Sequence, residues 1–366
     1  MLRIFLFTIL IIHGLIHLIG FMKAFKLSEI KQITHDISRP MGFLWLITFL
    51  VFVVSAILFL STNKYWWLSA IIAILISQFI IINFWHDAKF GTIANIFILI
   101  LALTNMANWN YYEKFQTDVN TELRKNSSLQ TPILTEADLF GLPDQVKNYM
   151  RYTGSIGKPQ VNNFKVTTEG KIRKNEKSEW MPFTTEQYNF LQQSSRLFFM
   201  NARMNQLPVS GYHSYKYGKA IMDIRLLSTF KVQYQDGSEM DIAETVTFFN
   251  DMCCMAPATL IDKRIKWGET NGEKVQASFT NNNITITAWL FFNDKSELVN
   301  FISNDRYNYD AKKKLPWSTP LSEYKDMNGY RLATIADAIY QYPEKEICYG
   351  KFHLTNIEYN LNRTKN

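Results

Sequence analysis

His13 and His17 stand four residues apart in LRIFLFTILIIHGLIHLIGFM, a run from Leu2 to Met22 with few other polar groups. In a helix that spacing puts both rings on one face, about 6 Å apart along the axis. Ionisable groups inside a bilayer span are costly and point to function. Joined by His86 and Asp87, with His35 in the same loop layer, they offer ligands for a metal, for haem, or a proton relay. The alternative is neutral histidines that hydrogen-bond between helices, beside Gln78, Asn83, Asn95 and Asn105. Two histidines on one helix lack the HExxH context of a strong metal motif, and no thioether haem-attachment motif is present. The candidate metal residues are His13, His17 and His86, and no cofactor is assigned.

A second set lies in the polar two-thirds of the chain. Glu186, Arg225, Glu244, Asp251, Arg264, Asp305 and Arg306 fall inside strand or helix patterns, where burial is expected. Buried charges must be paired, so Glu244 or Asp251 should meet Arg264 or Arg306. Such a network either ties helix to sheet or orients the head of a lipid or an acid. Phe198, Met200, Met204, Tyr212, Phe249, Met252 and Trp267 are the expected pocket lining, with Phe199, Phe248 and Met255 beside them. Aromatic and methionine side chains make either plain core or an adaptable apolar pocket. His213, in GYHSYKYG, is the best single acid–base candidate. No GxSxG, HExxH, P-loop or strand-borne GxGxxG motif occurs. Cys253 and Cys254 look like small hydrophobes on a buried helix. With Cys348 they make an odd count of three, and no disulfide framework is implied.

The 366 residues leave room for two domains, and the net charge of +7 is spread rather than clustered. Without a run of five basic residues a nucleic-acid partner is not expected. Residues up to about Met106 are mostly Ile, Leu, Phe, Ala and Trp; the remainder is rich in Asn, Lys, Tyr and Phe. A membrane-spanning helix needs about 20 apolar residues. Leu2–Met22, Met41–Leu60, Tyr65–Phe84 and Phe90–Met106 qualify, with aromatic residues at their ends. Lys23, Lys26, Lys31 and Arg39 in the first loop and Lys89 in the third predict that these loops are cytoplasmic. The N-terminus and all that follows the fourth span are then extracytoplasmic, and the membrane is a bacterial inner (cell) membrane. The expected division is a four-helix transmembrane domain at 1–112, a linker at 113–142 that includes Asn126–Ser127–Ser128, and a β-rich domain at 143–366.

In that domain Pro143 opens an amphipathic helix to about Tyr152. From Val161 the apolar period changes from 3.6 to two, the mark of half-buried strands. Ser238–Cys254 returns to helical period, with Ser238 and Asp241 spaced as a capping box. Hairpin signals follow at Asn271–Gly272, Asn281–Asn283 and Asn328–Gly329. The fold class is an α-helical membrane bundle of four spans followed by a mainly antiparallel β domain. Its sheet is long enough to curl into a half-barrel wrapped on the buried helix.

LPVSGYHSYKYGKAIMDIRLLSTFKV, AETVTFFNDMCCMAPATLID, SNDRY followed by PWSTP, and the N-terminal HGLIHLIGF and DAKFGTIAN resemble an uncharacterised family of bacterial four-span, membrane-anchored proteins. That family implies no activity. The β-rich half is more loosely similar to the lipoprotein-carrier proteins of the periplasm, whose curved antiparallel sheet holds an acyl chain beneath helices. The resemblance implies a hydrophobic or lipid-like ligand in a cavity between curved sheet and helix. An enzyme using a histidine and an acid in the same cavity is the alternative.

The predicted topology is directly measurable. Single cysteines at Lys31 and Lys64 in intact cells should react differently with a membrane-impermeant maleimide. Lys64 labels from outside and Lys31 only after permeabilisation; external labelling of Lys31 reverses the orientation.

Overall fold

A computed structural model describes residues 2–126, 130–205 and 207–362. Ser127 and Ser128 of the expected linker lie outside them. The chain divides into two compact units, Met1–Tyr111 and Tyr112–Asn366.

The first unit is helical: α1 (Leu2–Ala24), α2 (Arg39–Leu60), α3 (Trp66–Asn83), the single turn α4 (Trp85–Ala88), and α5 (Gly91–Asn126), which runs on into the second unit. Four of these helices are long and apolar enough to cross a membrane. Small groups (Ala56, Ala70, Ala73, Ala102) are buried together with larger ones (Leu10, Phe52, Ile80, Ile98), while Leu75, Ile82 and Ile93 are exposed. Apolar side chains turned outward, with small residues in the contacts between helices, suit lipid. Gly20 shows the closeness, since a Cβ there would lie 2.1 Å from the Trp45 ring.

The fourth apolar helix is longer than expected. Residues 113–126, read above as linker, continue α5 to Asn126. Phe115, Val119 and Leu123 recur every four residues and are buried in the β unit. Tertiary burial of this stripe overrides the polar composition around it.

After the end of α5 the second unit continues with α6 (Asp144–Tyr152), which starts just after Pro143. The strands follow: β1 (Asn163–Ile172), β2 (Met181–Phe190), β3 (Ser195–Met204), β4 (Leu207–Lys216), β5 (Lys219–Leu226) and β6 (Phe230–Gln235). After helix α7 (Ser238–Met255) come β7 (Ile265–Asn271), β8 (Lys274–Asn281), β9 (Ile284–Phe292), β10 (Leu298–Ser303), β11 (Tyr307–Asn308), β12 (Lys313–Lys314), β13 (Trp317–Ser318), β14 (Leu321–Met327), β15 (Tyr330–Gln341) and β16 (Glu346–Tyr359). All but β11 and β12 join one antiparallel sheet, in the order β6-β5-β4-β3-β2-β1-β16-β15-β13-β10-β9-β8-β7, with β14 on β15. The path ends at β6 and β7, so the curved sheet is open rather than closed into a barrel. The turn signals at Asn271–Gly272, Asn281–Asn283 and Asn328–Gly329 sit where hairpins form, at residues with positive φ.

Helix α7 lies against the concave face and is buried on nearly every side. Its expected capping box does not form: the N-cap is Gly237. The Asp241 carboxylate instead accepts the Ala220 N–H at 2.7 Å and Lys219 Nζ at 2.9 Å, tying the helix to β5. Toward β8–β10 the helix is dry. Phe249 stacks on Phe279 at 5.2 Å between centroids and meets Phe301 edge-on at 5.7 Å.

Phe249→Ala should therefore destabilise the full chain by about 3–5 kcal/mol. Phe140→Ala, at a side chain 94% exposed, should stay within about 0.5 kcal/mol of the parent. Denaturant midpoints in detergent measure both; equal midpoints would show that α7 is not a core element.

Candidate functional site

Antiparallel pairing decides which residues share a face, because directly opposite residues point the same way. Across β2 to β5 the register aligns Gln187, Phe198, His213 and Met222 in one row, and Glu186, Phe199, Tyr212 and Asp223 in the next. The first row faces α7. The second faces the helical segment from Tyr112 to Asn126.

On the α7 side lies a cavity of about 770 Å³. Its walls are apolar and built from alternate residues: Phe198, Met200 and Met204 from β3, Met222 and Ile224 from β5, and Phe352 from β16. Gly211, between Met200 and Ile224 in the register, leaves the space open. A volume of this order, with charged and amide side chains set among apolar walls, is usual for a small-molecule site.

The polar groups converge where α7 meets β2 to β4. Arg196 Nε donates to Asp251 Oδ2 at 2.7 Å, Nη1 to Glu244 Oε2 at 3.2 Å, and Nη2 to Gln187 Oε1 at 2.9 Å. Gln187 and Asn189 also donate to Asp251 Oδ2, at 2.8 and 3.0 Å. Farther round the same cavity Arg306 reaches the Ala243 carbonyl at 3.0 Å, the Thr247 hydroxyl, and the Tyr340 hydroxyl at 3.1 Å. His213 Nδ1 stands 3.6 Å from Glu244 Oε1. Arg196, Glu244 and Asp251 are each at most 7% exposed. Burial works upward on the Glu244 carboxyl, but Arg196, His213 and Arg306 outweigh it and hold it down at about 2. Burial pushes Asp251 up, against the pull of Arg196. Cys254 also lines the cavity; burial and then Asp251 push its thiol upward, away from the reactive thiolate.

Of the expected pocket residues, Phe198, Met200 and Met204 line this cavity, and of the expected network Glu244, Asp251 and Arg306 do. The rest lie elsewhere. Tyr212 is on the opposite face, donating to Asp118 Oδ2 at 2.6 Å. Phe249 and Met252 are fully buried in the core, and Trp267 packs on that core. Glu186 is on the outer face with Tyr112 (2.6 Å), Tyr188 (2.9 Å) and Lys165 (3.0 Å). Arg225 pairs with Asp223 beside it at 2.6 Å. Arg264 pairs with Asp262 and with the Leu191 carbonyl at 2.8 Å. Asp305 accepts the Thr287 N–H at 2.7 Å. A one-residue step changes the face, and without the register those steps were not visible. Arg196 is not among the expected residues, although the sequence carries its signal: Arg196, Phe198, Met200, Ala202 and Met204 alternate on one face.

In the helical unit, His13 Nε2 bonds Asn95 Oδ1 at 2.9 Å and His17 Nε2 bonds Ser77 Oγ at 3.0 Å. Asn95 in turn donates to Ser77 and Gln78, at 3.0 and 3.1 Å. His86 does not join them. It is 81% exposed and bonds Asp87, which also accepts Thr34 and lies 3.7 Å from His35. The expected meeting of His17 with His86 and Asp87 thus gives way to a loop cluster of His35, His86 and Asp87. Among the described residues no group of three or more His, Cys, Asp or Glu side chains is placed to hold a metal ion.

Arg196→Met should cost about 3–5 kcal/mol, since it leaves two buried carboxylates facing one another. The triple change Arg196→Met, Glu244→Gln, Asp251→Asn should recover most of it; denaturation midpoints test both, and a triple variant no better than the single would remove the charge explanation. The pH limb has a defined sign. Glu244 is lowered from 4.5 to about 2, so its stabilisation is full above about pH 4.5 and is lost as the pH falls toward 2. Asp251, raised, acts in the opposite sense.

No curated protein matches the chain. Three solved structures match parts of the chain at low similarity. A domain described as an outer membrane lipoprotein-sorting protein from Vibrio parahaemolyticus is 9% identical, with a TM-score of 0.32, covering 54% of this chain and 85% of that one. A DUF1329 family protein from Desulfovibrio piger is 10% identical, with a TM-score of 0.34, covering 64% and 96%. A LolA superfamily protein from Nitrosomonas europaea is 9% identical, with a TM-score of 0.27, covering 59% and 93%. A model described as a family of unknown function, DUF6544, matches residues 132–352, well over half of the sequence, and the chain belongs to that family.

Proposed function

We propose that this protein is a membrane-anchored, extracytoplasmic binding module that holds a hydrophobic or lipid-like ligand between its curved sheet and α7. The observation that carries this is the 770 Å³ cavity, whose apolar walls end on an arginine–carboxylate–histidine floor. A wholly structural charge network would need no open volume beside it. The apolar helices supply the anchor, and the basic loops at Lys23–Arg39 and Lys89 favour the extracytoplasmic side for the β unit. Methionine-rich walls (Met181, Met200, Met204, Met222, Met240, Met255) adapt to ligands of varied shape. The His213–Glu244 pair, at 3.6 Å, favours a second possibility, an acid–base reaction on the same ligand.

Native mass spectrometry after gentle extraction provides the test. The parent should carry a co-purifying lipid. Gly211→Leu should not: a Cβ there meets only Ile224 Cγ1 within 4 Å, at 3.7 Å, so the fold accepts the side chain while the cavity loses its space. Parent protein without ligand, or ligand retained equally by Gly211→Leu, rejects the cavity as the site. Hydrolysed or rearranged lipid in the parent, but intact lipid in His213→Gln, marks the enzyme instead.

A further inference from the structure

Strands β1 to β6 form successive antiparallel hairpins, so the β1–β2, β3–β4 and β5–β6 turns share one end of the sheet. The strand ends that flank the last two turns are apolar and exposed. Met204 is 38% exposed, Leu207 45%, Phe230 61% and Val232 53%. Met204 opposes Leu207, Leu226 opposes Phe230, and Val209 opposes Leu226, which sets the two tips side by side. A contiguous exposed apolar patch of this kind marks an interaction surface.

Two further observations say what it meets. Met204 and Val232 also line the cavity, so the patch is continuous with the cavity's apolar walls. Cations flank it: exposed Arg203 and Lys231 beside the tips, and Arg173 and Lys174 where the β1–β2 turn lines the cavity. Residues 203–207 and 226–234 hold no acidic side chain. Glu176 and Glu179 lie in the β1–β2 turn, and Glu176 is taken up by Lys345. Apolar tips with cations around them are the composition of segments that settle into the headgroup layer of anionic bilayers.

We propose that this rim docks on an anionic lipid bilayer, with Leu207 and Phe230 in the headgroup layer and Arg203 and Lys231 on the phosphates, and that the cavity's ligand passes between bilayer and cavity there. Docking stands on the rim alone; the passage rests on the ligand reading above. An apolar molecule entering at this point never crosses water.

The test uses the full chain with Cys348→Ser, reconstituted into vesicles. A polarity-sensitive fluorophore is placed at Leu207→Cys, at Phe230→Cys, or at Gln192→Cys on the opposite turn. With spin-labelled lipid as quencher, positions 207 and 230 should be quenched in phosphatidylglycerol vesicles, weakly in phosphatidylcholine, and position 192 in neither. Arg203→Gln with Lys231→Gln should lower the docked ratio about fivefold per cation removed. Equal quenching at 192, no quenching at 207 and 230, or concentration-dependent energy transfer between copies instead, overturns the docking. Bound lipid in an undocked protein defeats this inference and leaves the binding function; docking by a protein that carries no lipid does the reverse.

Discussion

Two buried carboxylates on one helix govern the β unit. Glu244 and Asp251 are carried on α7 into a place where each is almost wholly buried, and each must find a cation or cost several kcal/mol. Arg196 of β3 answers both, and Arg306 holds the other flank through the Ala243 carbonyl and Thr247. Apolar packing alone would let a helix slide or roll over a curved sheet. Directional bonds from a planar guanidinium permit one rotation and one height.

That fixed rotation divides the concave space. The Phe248, Phe249 and Met252 side is pressed into β8 to β10 and is dry core. The Glu244, Thr247 and Asp251 side stands off β2 to β5, and the gap is the cavity. Core and cavity are thus two sides of one helix. The outer face of the same strands cannot be left bare, because the pleat sends Leu197, Phe199 and Tyr212 outward, and Phe115, Val119 and Leu123 of α5 cover them. A sheet covered on both faces is stiff across β1 to β4, while β6, at the edge, is covered on neither face and exposes Phe230 through Tyr234.

The helical unit also buries polar groups. His13, His17, Ser77, Gln78, Asn95 and Thr92 form one hydrogen-bonded cluster among helices that otherwise pack apolar side chains on one another. Such a cluster gives partner and register specificity that apolar contacts cannot. His13 and His17 thus join α1 to the helices that carry Asn95 and Ser77.

Much of this architecture could be read from the chain. Long apolar runs have no other stable outcome than helices that cross a membrane or fill a core, and strict alternation with Asn–Gly turns leaves little but antiparallel hairpins. Those are local properties, set by backbone hydrogen bonding and by the periods 3.6 and two. Glu244, Asp251 and Arg306 were also legible as charges needing partners. The actual partner of the two carboxylates, Arg196, and the exile of Tyr212, Glu186 and Arg225 to the other face were not. Each depends on register, where one residue reverses the direction of a side chain, and register is chosen by contacts between strands and helices far apart in sequence. The sequence by itself determined which elements exist and which groups could not be left alone; the tertiary structure decided which groups meet, because only packing selects the face.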